Sequence, residues 1–545
     1  MPSPWRFIAD TESESETSDD GYGGADKETV QLQALRGEVV PALPSLKDET
    51  LQRCVIHGVR HHADYASSPE ILEICASRQY PAIVRARHAR LIMSDVIPQD
   101  MGDGNGADQQ TLPYCIWYPD VAREETYRAL VRQYPQMRYA VGRACAVAGY
   151  AALYHELGLL PDVSIADEAR DNMERVPGSR AIFRDIMGQT LRFAVMDDYT
   201  RSVHLEQPRA GALLNDDTAV RSRLDSDSIG LADYRRNGRR HVYFDIAEDH
   251  GLAEETRSPH WSPLIADEGT LALLYAPLPP DLQAVNKDML ILMAAAEGNV
   301  DRYARLRRPS LVENELFCVV RGIYHSTMFA KWWAMQLDDT RDGARAPSPV
   351  LEALQTNNAP FLREAVNARH IMSNDVSRIT AETPSSEIPY VIWHPRLPDW
   401  ATLRELVRRR PDMRSQAAHA CIVADYQGTY DGLQPEPSYV LWTEAKRQMH
   451  RNPHYAQDLE QRADALGLSL HEERPADHVE AVGAIRVRDT DPTDAWLYTQ
   501  LDPSLMLFAG HGSGGIYQGF QPTTSYVDLA VCGIVEDEVD DDVKE

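Results

Sequence analysis

ALVRQYPQMRYAVGRACAVAGY, residues 129–150, and ELVRRRPDMRSQAAHACIVADY, residues 405–426, read as two versions of one helix-turn-helix segment. Working outward, residues 113–177 align without a gap on 389–453 at an offset of 276, with identity at 26 of 65 positions. LPYCIWYP (112–119) faces IPYVIWHP (388–395), and the match continues to Glu168/Glu444, Met173/Met449 and Pro177/Pro453. Upstream it resumes after small insertions, ARLIMSDV (89–96) against ARHIMSNDV (368–376) and CVIHGVRH (54–61) against CVVRGIYH (318–325). Such self-similarity is weighed before any local propensity, because a missed repeat misassigns a whole fold. Two homologous halves of about 150 residues are expected.

What recurs shows what the shared structure needs. Ala144, Cys145, Val147 and Ala148 return as Ala420, Cys421, Val423 and Ala424. Small side chains at i, i+1, i+3 and i+4 make one helix face that a neighbour can approach closely. Pro135 and Pro411 stand where one helix has ended and the next begins, since proline fits a first turn and disfavours helix before it. Tyr114 and Trp117, repeated as Tyr390 and Trp393, are expected to pin an extended segment onto the helix pair.

A shorter pattern lies within each half. LILMAAAEGNVDRYARL (290–306) places Gly298 and Asn299 between two helical stretches, where a positive φ is needed. LEALQTNNAPFLREAV (351–366) and LEICASRQYPAIVRA (72–86) repeat the shape. These segments resemble ankyrin repeats, without the T-P-L-H start and with irregular spacing. Over most of residues 40–450 the chain also resembles a set of uncharacterised fungal proteins. The segments that carry this are 271–309, NARHIMSND (367–375) and FAVMDDYTR (193–201). The resemblance implies a fold and no activity.

The expected fold is therefore mainly α, a duplicated ankyrin-like helix-turn-helix array. It comprises a disordered acidic tail over 1–30, helical halves over 31–190 and 281–470, and a partly irregular connector over 191–280 containing the strand HVYFDI (241–246). A mixed, strand-containing part over 471–534 and a second disordered acidic tail over 535–545 complete it.

Composition bounds the function. The 545 residues are 43% hydrophobic and 25% charged, with a formal net charge of -28. Residues 1–30 hold 8 acids and 2 bases, and 535–545 hold 7 acids and 1 base, so each tail contributes -6 and the body -16. A field of that sign repels phosphate backbones, and nucleic acid is not expected as a partner. No apolar run reaches membrane-spanning length, and none near Met1 has signal-peptide form, so an intracellular protein, cytoplasmic or nuclear, without membrane insertion is expected. Seven scattered cysteines with no C-x-x-C pair indicate neither a disulfide framework nor a zinc ribbon.

Individual motifs are weak beside this. GHGSGG (510–515) fits the dinucleotide pattern but no helix follows it, and no G-x-S-x-G elbow exists for a serine hydrolase. His57 and His61, at i and i+4 with His62 adjacent, have a metal-compatible spacing, yet Arg321 replaces His57 in the second half and a solvated or capping role is expected. Asp197 and Asp198 read as surface acids. Arg132 and Arg138, recurring as Arg408 and Arg414, and the cluster Arg235, Arg236, Arg239 and Arg240 are candidate contacts to an acidic partner. Thr11, Ser13 and Thr17 each precede an acid by three residues and are candidate phosphorylation sites. The function expected is a non-catalytic protein-protein interaction scaffold with no cofactor and no metal. The alternative is an enzyme or small-molecule binder with its site in 191–280 or 478–534.

Overall fold

The computed structural model describes residues 24–102, 111–198, 201–215, 228–237, 251–255, 268–283, 287–308, 315–338 and 359–470. The described chain is mainly helical. It divides into two compact units, Met1–Ser262 with Pro279–Gln283, and Pro263–Leu278 with Ala284–Glu545. The boundary thus runs through what the sequence sets apart as a connector. Pro279–Gln283 belongs with the first unit because Leu214 N–H donates to Pro280 O at 3.1 Å and Arg170 donates to Leu282 O at 2.7 Å and pairs with Asp281.

In the first unit the best-matched block runs Glu124–Gln133, a 3-10 turn Pro135–Met137, Arg138–Ala148, Ala151–Leu157, Val163–Asn172 and Pro177–Met187. In the second it runs Trp400–Arg409, Pro411–Met413, Arg414–Ala424, Gln427–Leu433, Tyr439–Arg447 and His454–Leu466. The first five begin 276 residues apart. The stops have the same cause in both units: a left-handed cap at Gly149 (φ 77°) and Asp425 (φ 59°) ends the third element, as one at Gly158 and Gln434 ends the fourth. The fifth starts on a side-chain cap, Asp162 accepting from Ile165 N and Ser438 from Leu441 N. Ala144, Cys145, Ala420 and Cys421 are fully buried. Ala148 and Ala424, at the edge of that small face, are only half-buried.

Upstream, helix Gly24–Leu35 packs on Glu49–His61, and Lys287–Ala296 on Glu315–His325. Both contacts are too close for a side chain at one point. A Cβ on Gly58 would strike the carbonyl of Ala34, and one on Gly322 that of Ala295. In each unit a later helix, Pro81–Met93 or Ala359–Met372, fastens the second of these through a buried arginine: Arg90 donates to Arg60 O at 3.3 Å, and Arg369 to Tyr324 O at 2.8 Å. The turn read from Gly298 and Asn299 is present, with φ 65° at Gly298 and the Asn299 side chain capping Val300–Leu306.

Some boundaries differ from the sequence reading. The first helix starts at Gly24, inside the stretch assigned to a disordered tail over 1–30. Its first turns, GADKET, carry charge and little apolar surface, but Gln31, Ala34 and Leu35 in its second half are buried. Within 191–280 the strands are two residues long: Phe193–Ala194 pairs antiparallel with Arg209–Ala210, Met196–Asp197 with Ser202–Val203, and Ile229–Gly230 runs parallel to Leu252–Ala253. HVYFDI, the turn at Asn357 and Asn358, and the parts assigned to 471–534 and 535–545 lie outside the described residues.

Gly58→Ala and Gly322→Ala are each expected to destabilise the protein by about 1–3 kcal/mol, because the obstacle is backbone that must shift. Denaturant midpoints unchanged from the parent chain would contradict the close approach of these helices.

Candidate functional site

Asp198, read from sequence as a surface acid, is 2% exposed. FAVMDD enters the first unit as a strand pair, and the second aspartate points into the helical core. There Asp198 pairs with Arg143 and accepts the Tyr114 hydroxyl at 2.6 Å. Arg143 also lies 3.2 Å from Glu168, which accepts from Trp117 Nε1 at 2.8 Å. Arg143 and Glu168 are both 0% exposed, and the guanidinium sits over the Trp117 ring at 4.8 Å. One cation thus faces two carboxylates in a buried core, and the Tyr114 hydroxyl and Trp117 N–H supply the further donors that the second negative charge needs. Burial works against the charge on Arg143, but Asp198 and Glu168 outweigh it and hold its pKa well above the ordinary value. Burial, then Asp198, raises that of Tyr114. Asp162 is buried nearby; burial raises its pKa although Val195, Ile165 and Met196 N–H groups all donate to it.

The equivalent place in the second unit is built from Tyr390, Trp393, His419 and Glu444. His419 replaces Arg143, is 1% exposed and stacks on Trp393 at 3.9 Å. Its Nε2 is 3.8 Å from the Glu444 carboxylate, an ion-pair distance longer than a hydrogen bond. Burial acts to raise the Glu444 pKa, and His419, Gln448 and Arg447 together overcome it, so the group lies below the ordinary carboxylate value. The Tyr and Trp anchors expected from sequence are therefore present in both units. The acids beneath them were signalled only by the identity of Glu168 with Glu444.

A second polar feature, in the first unit, is a cavity of about 600 Å³. His57 and His61 form one wall, their rings parallel at 3.9 Å. His61 meets Tyr118 edge to face at 5.8 Å, just as His325 meets His394 at 5.9 Å in the second unit. The two imidazoles are half-buried and stacked, not the solvated or capping groups expected. Among the described residues, no group of three His, Cys, Asp or Glu side chains is placed to hold a metal.

The arginines are mostly engaged within their own unit. Arg138 donates to Leu157 O and Gly158 O at 2.6 and 2.9 Å, and Arg408 grips Glu405 with two bonds of 2.7 Å. Arg235 donates to Gln31 and pairs with Glu28. Arg132 and Arg414 are exposed. Arg236 is the penultimate residue of helix Leu231–Asn237. Arg239, Arg240, Thr11, Ser13, Thr17 and GHGSGG lie outside the described residues. Arg138, Arg408 and Arg235 thus each serve a separate local contact within their own unit. No helix among the described residues is long and apolar enough to cross a membrane.

A family model described as the YKP1 C-terminal domain, an uncharacterised family, matches residues 117–225, about a fifth of the chain. The matched stretch contains Trp117, Arg143, Glu168 and Asp198, and with them all of the buried ionic cluster except Tyr114. No ankyrin-repeat family is detected. No curated protein and no solved structure matches the chain.

Asp198→Ala leaves Arg143 and Tyr114 facing a dry void and is expected to cost about 3–5 kcal/mol in denaturant unfolding; a loss below about 1 kcal/mol would show the acid to be hydrated. Because Glu444 is held below its ordinary pKa, it contributes stability at neutral pH that is lost as the pH falls through the folded value. His419→Gln removes one cause of that depression and is expected to flatten the acid limb of stability against pH. An unchanged limb would contradict the coupling.

Proposed function

We propose that this chain is a non-catalytic protein interaction scaffold, built as two homologous arrays of ankyrin-like helical pairs. The observation that carries the reading is the coincidence of helix bounds, caps and aromatic anchors at an offset of 276. Stacked helical pairs bury a continuous core and leave extended faces for recognition. Most charged groups in the cores serve the fold, so recognition falls to the surfaces. Helix Thr327–Asp338 offers one: Met328 and Met335, two turns apart, are 68% and 65% exposed. Arg132 and Arg414 offer contacts to an acidic segment of the partner, with Arg138 and Arg408 available once their present bonds exchange. The partner is another protein. The alternative, a binder of small molecules with its site in 191–280, draws support from the cavity, to which that stretch contributes Ser228 and Gly251–Glu255.

The test is affinity purification of full-length protein from a native extract, beside a Met328→Glu/Met335→Glu variant and an Arg132→Glu/Arg414→Glu variant, each checked by circular dichroism. The scaffold reading expects a stoichiometric protein that survives a high-salt wash and is lost with one of the variants. Absence of any stoichiometric protein, or equal capture by all three chains, would contradict it.

A further inference from the structure

The cavity in the first unit joins groups from well-separated stretches of the chain. The helix Glu49–His61 supplies the stacked imidazoles of His57 and His61, and the linker supplies Tyr118. Ser228 and Gly251–Glu255 close the other side, with Leu35 and Leu252, each 2% exposed, giving apolar surface. Ser228 is 4% exposed, and its Oγ finds no hydrogen-bond partner among the described residues. A buried hydroxyl left unmatched costs free energy that a bound polar group would recover.

The charge on the lining selects the ligand. Three carboxylates, Glu38, Glu254 and Glu255, stand on the lining against one permanent cation, Arg36. Arg36 is already committed to Glu254 by bonds of 2.8 and 2.7 Å. Burial first, then His61, His57 and Arg90, push the His62 pKa below the ordinary value, with Glu38 opposing. Imidazole nitrogens, carboxylates and the Ser228 hydroxyl can accept hydrogen bonds, and an ammonium is donor-only. The leucines suit a methylene chain.

We infer that this cavity binds a primary alkylammonium group, through Ser228, the His57/His61 pair and the carboxylates at its rim. The inference goes beyond the scaffold reading and stands or falls separately from it. The same chemistry has two sources, a free diamine or the side chain of a lysine on a partner.

Isothermal titration of the full-length protein at about 0.15 M salt, where long-range attraction to the acidic tails is screened, tests it with three probes. These are cadaverine, Nα-acetyl-lysine amide and the uncharged 1,5-pentanediol. Saturable one-to-one binding of either amine, absent with the diol, is the expected result. Cadaverine alone indicates a free amine as the ligand, and acetyl-lysine amide alone, or bound the more tightly, indicates a lysine side chain. His57→Leu and Glu255→Gln, at partly and fully exposed positions, are each expected to weaken binding by about tenfold or more with unchanged melting temperature. Amines that bind no better than the diol, or binding unaltered in both variants, would overturn the assignment.

Discussion

A carboxylate with no water around it must be given a cation or several donors, and that requirement organises the best-matched block in each unit. Glu168 and Glu444 lie on the fifth element of the block, buried beneath Trp117 and Trp393. In the first unit the requirement is met by Arg143 and by the Trp117 N–H. To bring them there, the small-faced helix must pack tightly, and the extended segment carrying Tyr114 and Trp117 must lie across it. Asp198 then balances the arginine and ties the short strands after the helices into the same core. In the second unit His419, 276 positions after Arg143, stacks on Trp393 and lies at ion-pair distance from Glu444.

Much of this was legible in the sequence. Identity at the 276-residue offset located the helix pairs, Pro135 and Pro411 located the turns, and the repeated Tyr and Trp located the anchors. Gly298 and Asn299 marked a helix-turn-helix because a positive φ and a side-chain cap are local requirements. What escaped was what depends on distant partners. Asp198 reads as exposed in MDDYTR, and its arginine is 55 residues earlier in the chain. A charged residue in the otherwise small and apolar stretch AVGRACAVA was the available signal. The first helix escaped because Lys27, Glu28 and Thr29 are exposed and only its last turns are buried, a pattern that short-range composition reads as tail.

The candidate site shows the same division. His57 and His61 were singled out by spacing, but the groups that complete the cavity, Ser228 and Gly251–Glu255, come from a stretch without periodicity, brought in by a parallel pairing of two residues with two. No regular pattern announces such a wall. The matched family stretch spans the ionic cluster and ends before Ser228, so the cavity draws on residues outside it.

Arg143 and Glu168, both fully buried, are coupled in the core of the first unit. A double-mutant cycle with Arg143→Met and Glu168→Gln, read by denaturant unfolding of the full chain, measures that coupling directly. The account predicts each single change to cost about 3 kcal/mol or more and the double change distinctly less than their sum. Additive costs, with a coupling below about 0.5 kcal/mol, would show the two charges to be independently solvated and would contradict it.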